Sequence, residues 1–266
     1  MAGTPKHLRV ALTVAGSDSG GGAGIQADLK TFAALGVHGT SAITCITAQN
    51  PKRVIGIQPV RPDMVRRQLR AVFEQLPPAS VKTGMLYSAQ IITVVADFLR
   101  HRKRMPLVID PVMVATSGAI LLKPSALRAL KAKLLPLATL VTPNLPEAEL
   151  LIGRKLRALE DLREAAREIH ARFGCAVLIK GGHLHKAPAA VDVFYDGRKS
   201  LELAAPWSLG ISTHGTGCTC SAAITALLAQ GHDLAQAVER AKRHVTRAIS
   251  RSQHVGRHRV LNNFWR

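Results

Sequence analysis

Strand-like and helix-like segments alternate along almost the whole chain, and this alternation is its most restrictive feature. Residues 8–16 form a continuous apolar run typical of a strand buried on both faces. In the segment that follows, Ile25, Leu29 and Phe32 recur with helical spacing. Further strand–helix pairs follow, so the sequence predicts a doubly wound α/β fold with a mostly parallel sheet and helices on both faces. In such folds ligands bind beyond the carboxyl ends of the strands.

The pattern contains no internal repeat, low-complexity tract or long linker. One local exception is a predicted hairpin of two strands around Asp196 and Gly197. The 266 residues, of which 47% are hydrophobic, suffice for a sizeable core. We therefore predict one domain over residues 1–266, with a basic C-terminal tail at about 251–266.

Several classes of protein are disfavoured by composition. No apolar stretch reaches the roughly 18 residues needed to span a bilayer, so no membrane association is predicted. The four cysteines are scattered and form no Cys-x-x-Cys motif, which predicts a reducing, cytoplasmic environment.

The formal net charge of +19 raises the possibility of nucleic-acid binding. Much of the excess lies in helical surface patterns at residues 66–70 and 239–251, with few aromatic residues for base stacking. We interpret it as a solvated basic surface that attracts anionic substrates, and predict no nucleic-acid partner.

A glycine-rich segment follows the first predicted strand, between Gly16 and Asp28. It contains the spacing G-x-G-x-x-A, a permitted dinucleotide-binding variant. However, no acidic residue lies between Asp28 and Asp63 to bind a ribose, and the chain has no G-x-x-x-x-G-K-[ST] motif. The segment therefore predicts a loop whose backbone can approach a ligand closely, rather than a dinucleotide site.

A second glycine-rich segment, residues 212–218, precedes a helix-like apolar run. The first N–H groups of a helix lack intrahelical partners and form a ready anion site. A thiol at such a helix start has a lowered pKa. Cys218 is therefore interpreted as a weak base, a hydrogen-bond partner or simply a small residue that starts the helix.

Polar residues also follow three other predicted strands. Asp110 precedes a proline, and Lys180 precedes two glycines. Lys180 is expected to reach phosphate oxygens, although a lysine that extends along the surface with its head in water is the alternative. Glu147 lies three residues after Asn144, where a carboxylate either stabilises a helix start or holds Mg²⁺ through water. Together these groups suit phosphoryl transfer.

Seven motifs carry a family resemblance, in this order: AGSDSGGGAGIQADLKTF, TAQN, GML, DPVM, TPNLPEAE, KGGH and THGTGCT. Over about residues 8–250 the chain resembles the hydroxymethylpyrimidine/phosphomethylpyrimidine kinases of thiamine biosynthesis, which belong to the ribokinase-like superfamily. The resemblance implies a three-layer α/β/α fold, ATP with Mg²⁺, and a homodimer. It also implies phosphorylation of 4-amino-5-hydroxymethyl-2-methylpyrimidine and then of its monophosphate.

The resemblance also implies roles for individual residues. The pyrimidine pocket would be lined by Gly16, Asp28, Gln49, Met85 and Val112. The Mg-ATP side would be formed by Asp110, Asn144, Glu147 and Lys180, with Asp110 and Glu147 holding the metal through water. The catalytic group would be Lys180 with the anion-binding turn Gly215, Thr216, Gly217 and Cys218.

One contrast with the superfamily's sugar kinases, one departure from the family pattern and three alternatives accompany this interpretation. The superfamily's sugar kinases carry an aspartate base where this chain has Cys218, which suggests that a carboxylate repelling a phosphorylated acceptor has been replaced. After TAQN this chain has Pro51, Lys52 and Arg53 where threonine is usual, so the lid loop differs. Pyridoxal kinase is the nearest alternative. More remote are an NAD-dependent oxidoreductase and a nucleic-acid-binding protein.

Overall fold

The computed structural model describes residues 7–102, 105–113, 122–182, 189–207 and 214–265. Within them, nine strands form one sheet in the order β3-β2-β1-β4-β5-β6-β7-β8-β9. The strands are β1 (Val10–Asp18), β2 (His38–Asn50), β3 (Arg53–Pro59), β4 (Ser80–Thr83), β5 (Leu107–Ile109), β6 (Leu140–Val141), β7 (Ala176–Ile179), β8 (Ala190–Tyr195) and β9 (Ser200–Ala205). Strands β2, β1, β4, β5, β6 and β7 run parallel, whereas β3, β8 and β9 each pair antiparallel with their neighbours.

The helices connect these strands and cover both faces of the sheet. They are α1 (Gly24–Ala34), α2 (Pro62–Gln75), α3 (Ala89–Leu99), α4 (Pro124–Ala129), α5 (Leu145–Ile152), α6 (Leu159–Phe173), α7 (Thr216–Ala229) and α8 (Leu234–Ser250). Leu107 and Ile109 of β5 pack into the core beneath α2–α6, and Val108 between them packs with α7 and α8 on the other face. This alternation is the period-2 pattern of a strand, so the sheet lies between two helical layers.

Several element boundaries follow local sequence signals. Ser88 caps α3 through its side chain, which accepts a hydrogen bond from the Ile91 N–H. Gly36 follows the end of α1 with φ of 72°. The hairpin around Gly197 joins β8 and β9 as expected.

One local prediction is wrong. The apolar spacing of residues 124–135 predicts a continuous helix, but α4 gives way to a π-helical turn at Leu130–Leu134 and a 3₁₀ turn at Leu135–Leu137. Pro136 lies in that last turn and has no N–H for the α-helical ladder. The basic tail, to which the sequence assigned no structure, forms a second small sheet of β10 (Gln253–Val255) and β11 (His258–Val260).

The tail packs back on α8. The Asn262 N–H donates to the carbonyl of Ala248, and the rings of His244 and Trp265 lie 4.4 Å apart. Among the described residues, no helix combines the length and apolarity that crossing a bilayer would require.

Candidate active site

A cavity of about 540 Å³ opens beyond the carboxyl ends of the central parallel strands. Its lining includes every predicted site residue except Asp28: Gly16, Gln49, Met85, Asp110, Val112, Asn144, Glu147, Lys180, Gly215, Thr216, Gly217 and Cys218. The cavity thus joins seven segments that are far apart in the sequence. One residue of each of two motifs, His183 of KGGH and Thr213 of THGTGCT, lies outside the described residues.

Asp28 corrects the sequence-based assignment of the pyrimidine pocket. Its side chain is fully buried and accepts a hydrogen bond from the Thr13 hydroxyl at 2.6 Å. Its other oxygen pairs with the ammonium group of Lys82 on β4. The face of α1 that carries Asp28 is turned onto the sheet, so this carboxylate lies beneath the cavity, and Lys82 lines the cavity in its place.

The two glycine-rich segments are in direct contact. Gly215, the residue that precedes α7, has φ of 84°, a conformation that favours glycine. A Cβ atom at Gly215 would lie 1.8 Å from the carbonyl oxygen of Gly22. The loop after β1 and the start of α7 therefore form one continuous wall of the cavity.

The centre of the cavity combines a cation, a carboxylate and a helix start. The Lys180 ammonium donates to Oδ1 of Asp110 at 3.1 Å, and the Ser221 hydroxyl of α7 donates to Oδ2 at 3.1 Å. A Cβ atom at Gly217 would lie 3.1 Å from Nζ of Lys180. Burial lowers the pKa of Lys180, but Asp110 and Glu147 outweigh it and the net pKa is raised, so the group stays an ammonium.

Glu147 and Asn144 form a capping box at the start of α5. Oδ1 of Asn144 accepts from the Glu147 N–H, and Oε2 of Glu147 accepts from the Asn144 N–H, both at 2.9 Å. Oε1 of Glu147 accepts from the Met113 N–H at 3.0 Å. Burial raises the pKa of Glu147, and the neighbouring Lys180 ammonium opposes that rise without cancelling it. Glu147 therefore stabilises the start of α5, which is one of the two roles that the sequence left open, and it also lines the cavity.

The predicted pyrimidine end has a constrained backbone. Val112 has φ of 42°, which is unfavourable for a β-branched residue and is typical of functional sites. The carbonyl of Met85 is held by the Thr44 hydroxyl at 2.6 Å. Oε1 of Gln49 accepts from the Thr47 hydroxyl at 3.2 Å, which orients the amide.

The loop between β2 and β3 forms the rim of the cavity above this end. Pro51, Lys52 and Arg53 line the opening. Oδ1 of Asn50 accepts from the N–H groups of Lys52 and Arg53, which fixes the turn that carries the two cations.

Asp18 is a site residue that the sequence analysis missed. Its carboxylate accepts from the backbone N–H groups of Gly20, Gly22 and Ala23 at 2.8–3.1 Å. The ring of His214, from the segment before α7, lies 3.2 Å from Oδ2. Burial raises the pKa of Asp18, but the His214 and backbone hydrogen bonds outweigh it, and the net pKa is lowered. The available signal was an aspartate two residues before a run of glycines, because an aspartate side chain in a turn accepts hydrogen bonds from the backbone N–H groups that follow it.

The expected lowering of the Cys218 pKa is wrong. Burial raises the pKa of this thiol to about 11, although Lys82 and the N–H group of Gly24 act in the opposite direction. The side chain is therefore neutral at physiological pH, which disfavours the role of weak base and favours those of hydrogen-bond partner and small helix-starting residue.

The far end of the cavity was also missed. It is formed by β8, the end of β9 and the inner face of α8, with Asp192, Pro206, Trp207, Lys242, Val245, Thr246 and Ile249 in its lining. Lys242 donates to Oδ2 of Asp192 at 2.8 Å, and Oδ1 of Asp192 accepts from the Gly181 N–H at 3.0 Å. In the sequence, α8 showed only an amphipathic basic pattern, which is typical both of a helix that lines a binding cavity and of a helix with a solvated basic face.

A sequence profile of the family described as phosphomethylpyrimidine kinase matches residues 18–263. The chain belongs to this family. The match spans the glycine-rich loop, the capping box, Lys180 and the start of α7. The predicted family and kinase class are therefore confirmed.

Curated relatives agree with this assignment. The chain is 52% identical over 244 residues to the hydroxymethylpyrimidine/phosphomethylpyrimidine kinase of Rhizobium meliloti, covering 91% of this chain and 90% of that protein. It is also 52% identical over 246 residues to the thiamine biosynthesis bifunctional protein ThiED of Geobacter sulfurreducens, covering 92% of this chain. The chain spans half the length of that bifunctional protein.

Solved structures confirm the ribokinase-like fold. The ADP complex of Bacillus subtilis pyridoxal kinase superposes with a TM-score of 0.90 at 41% identity, covering 97% of this chain and 98% of that one. The phosphomethylpyrimidine kinase of Clostridium difficile gives 0.81 at 43% identity, covering 91% and 99% of the two chains. The fold is thus shared by kinases of two different acceptors.

Proposed function

We propose that the protein transfers the γ-phosphoryl group of ATP to 4-amino-5-hydroxymethyl-2-methylpyrimidine and then to the resulting monophosphate. The observation that carries this proposal is the meeting of Lys180, Asp110 and the first turn of α7 at the middle of one cavity. A Cβ atom at Gly217 would lie 3.1 Å from Nζ of Lys180 and 3.8 Å from Oδ2 of Asp110. An anion placed there contacts an ammonium group and helix N–H groups at once.

In this proposal, phosphoryl transfer depends mainly on positioning and on neutralising charge. The N–H groups at the start of α7 bind the migrating phosphoryl group, and Lys180 neutralises oxygens shared with the donor. The acceptor lies toward Gly16, Met85 and Val112, and ATP lies toward β8, β9 and α8. The two ends of the cavity are formed by different elements, so in this proposal each ligand has its own binding surface.

The cavity also fits Mg²⁺ carried by the nucleotide. Asp110 and Glu147 both line it, but each of their four oxygens already accepts a hydrogen bond from Lys180, Ser221, Asn144 or Met113. Among the described residues, no group of three His, Cys, Asp or Glu side chains could hold a metal by itself. This donor set suits an ion that keeps several waters and takes its other ligands from phosphates. Mg²⁺ bound there would neutralise charge on the phosphates of ATP.

Pyridoxal phosphorylation is the second candidate, because the Bacillus subtilis pyridoxal kinase superposes at a TM-score of 0.90. The pyrimidine is favoured by the 52% identity to the Rhizobium kinase and by Gln49. An amide both donates and accepts, which matches the edge of an aminopyrimidine. A homodimer remains part of the proposal and is supported by the family resemblance. A cytoplasmic location also remains part of it and is supported by the four cysteines Cys45, Cys175, Cys218 and Cys220, which form no disulfide.

A coupled ADP-release assay tests this choice. The purified protein is given MgATP with the pyrimidine alcohol, its monophosphate or pyridoxal, each over a concentration series. We expect kcat/KM to be highest for the two pyrimidines, and product analysis to show the mono- and diphosphates. If only pyridoxal is phosphorylated, the acceptor assignment is wrong. If none of the three acceptors causes ADP release, the protein is not a kinase of these pyrimidine and pyridine alcohols.

A further inference from the structure

The buried pair of Asp28 and Lys82 lies directly beneath the phosphoryl-transfer centre. Both side chains are fully buried. Asp28 is held by the Thr13 hydroxyl at 2.6 Å, and the Lys82 ammonium reaches the carbonyl oxygen of Cys218 at 3.5 Å. The pair therefore links β1, α1 and β4 to the first turn of α7.

Strand β4 holds α7 at two points. Ser80 and Lys82 lie on the same face of β4, since they are two residues apart. The Ser80 hydroxyl donates to the carbonyl of Thr225 at 2.7 Å, and Lys82 contacts the carbonyl of Cys218. The two carbonyls are seven residues apart, which is about two helical turns. One contact fixes the middle of α7, and the other fixes the turn that faces the phosphoryl group.

The position of Lys82 is poorly explained by stability alone. A cation near the N-terminus of a helix opposes the helix dipole, so its effect on α7 is unfavourable. A buried ion pair also contributes little net stability compared with a well-packed neutral pair. The same positive charge becomes favourable when an anion binds at the start of the helix.

The groups that face Lys82 keep it charged. They are chiefly the carboxylates of Asp28 and Asp110, and the thiol of Cys218 also faces the ammonium group. Burial lowers the pKa of Lys82, but the facing groups together, Asp28 foremost, outweigh that effect and the net pKa is raised. A permanent ammonium group thus lies under the anion-binding turn.

We propose that Lys82 is a positioning residue for phosphoryl transfer: fixed by Asp28, its ammonium holds the first turn of α7 in the place where the backbone N–H groups meet the phosphoryl group. It acts through the Cys218 carbonyl and through its field, without a proton transfer. This inference rests on the proposed function, because its readout is phosphoryl transfer.

The test separates positioning from a purely structural role. The double variant Asp28→Asn with Lys82→Met removes both charges and keeps similar volumes, so its Tm is expected to lie close to that of the wild type. We expect its kcat to fall about tenfold or more, with KM for the pyrimidine alcohol within about twofold, because a small displacement of the turn affects mainly the transition state. Lys82→Met alone is expected to lower both Tm and kcat, since it leaves Asp28 buried without its partner.

Ser80→Ala is the matched control, because it removes the other contact between β4 and α7. It is expected to lower Tm while kcat stays within about twofold of the wild type, since its contact is two turns away from the phosphoryl group.

Circular dichroism confirms folding before each assay. If the double variant has a Tm and a kcat close to those of the wild type, the inference is wrong. It is also wrong if the double variant cannot fold, because the pair would then support the whole core rather than the first turn of α7. If the wild type itself transfers no phosphoryl group, the proposed function fails instead.

Discussion

Gly217 offers the sharpest test of the phosphoryl-transfer centre. It is the second residue of α7, and a Cβ atom there would point into the space between the helix start, Lys180 and Asp110. The nearest atom would be Nζ of Lys180 at 3.1 Å. Gly217→Ala therefore places a methyl group where the migrating phosphoryl group must lie, without a clash against the backbone.

The expected effects on stability and on turnover have opposite signs. Alanine is favoured over glycine within a helix by up to about 1 kcal/mol, so Tm should stay the same or rise. The methyl group displaces the phosphoryl group from the helix N–H donors. Loss of one such donor costs about 10²–10³ in kcat, or about 3–4 kcal/mol. Gly217→Ala should therefore be at least as stable as the wild type and about a hundredfold slower or more.

The assay is ADP release with saturating ATP and pyrimidine alcohol, together with a thermal melt of each protein. Gly56→Ala is the control, because a Cβ atom at Gly56 would contact only Ala48 at 4.0 Å, on the hairpin of β2 and β3. It should leave kcat unchanged. If Gly217→Ala keeps kcat within about twofold of the wild type, the phosphoryl group does not lie at the start of α7, and the proposed mechanism is wrong.

The remaining predictions concern the glycine-rich wall and Cys218. Cys218→Asp should slow transfer to the monophosphate much more than transfer to the alcohol, because the new carboxylate repels the phosphate of the acceptor. Two like charges about 4 Å apart at an effective dielectric of about 20 repel by about 4 kcal/mol, which is roughly 10³-fold in kcat/KM. Because burial raises the pKa of Cys218 to about 11, alkylation of this thiol by iodoacetamide should stay slow at pH 8 and accelerate only toward pH 11, as followed by mass spectrometry. Asp18 has a pKa below its ordinary value of 3.8, so it stabilises the fold at neutral pH and that contribution is lost as the pH falls through its folded pKa; Asp18→Asn should lower Tm at pH 7, and the difference from the wild type should shrink toward pH 3. Gly215→Ala should lower Tm and activity together, because the added Cβ atom would lie 1.8 Å from the Gly22 carbonyl oxygen; a variant that melts like the wild type would contradict this contact.

The sequence predicted that Asp110 and Lys180 meet in the cavity because each of these polar residues directly follows a buried parallel strand. Asp110 comes after β5 and Lys180 after β7, and such strands end at the same edge of the sheet. The start of α7 was predictable for a similar reason, since glycines before an apolar helix indicate an anion site. A polar residue at the end of a strand and glycines before a helix are both patterns of neighbouring residues, so they can be recognised in a single sequence.

The partner of Asp28 could not be predicted in this way. Lys82 lies 54 residues away in the sequence, and its contact with Asp28 depends on how α1 rotates onto β1 and β4. The pattern of α1 showed which apolar residues share a face, but not that a carboxylate would share it. The far end of the cavity was missed for the same physical reason, because whether Lys242 of α8 meets Asp192 of β8 is decided by packing between distant elements.

The surroundings of Cys218 explain why a thiol suits the start of α7. Two carboxylates, Asp28 and Asp110, already act on this position, and both oppose ionisation of the thiol. Among the residues that the structure describes, the cation that acts on this thiol is Lys82, and it is paired with Asp28. A carboxylate at residue 218 would therefore add a negative charge that this ammonium is not free to balance, next to the place where a phosphate acceptor must bind. A neutral thiol leaves the positive field of the helix start and of Lys180 available to both acceptors, so the same turn can serve an alcohol first and its monophosphate afterwards.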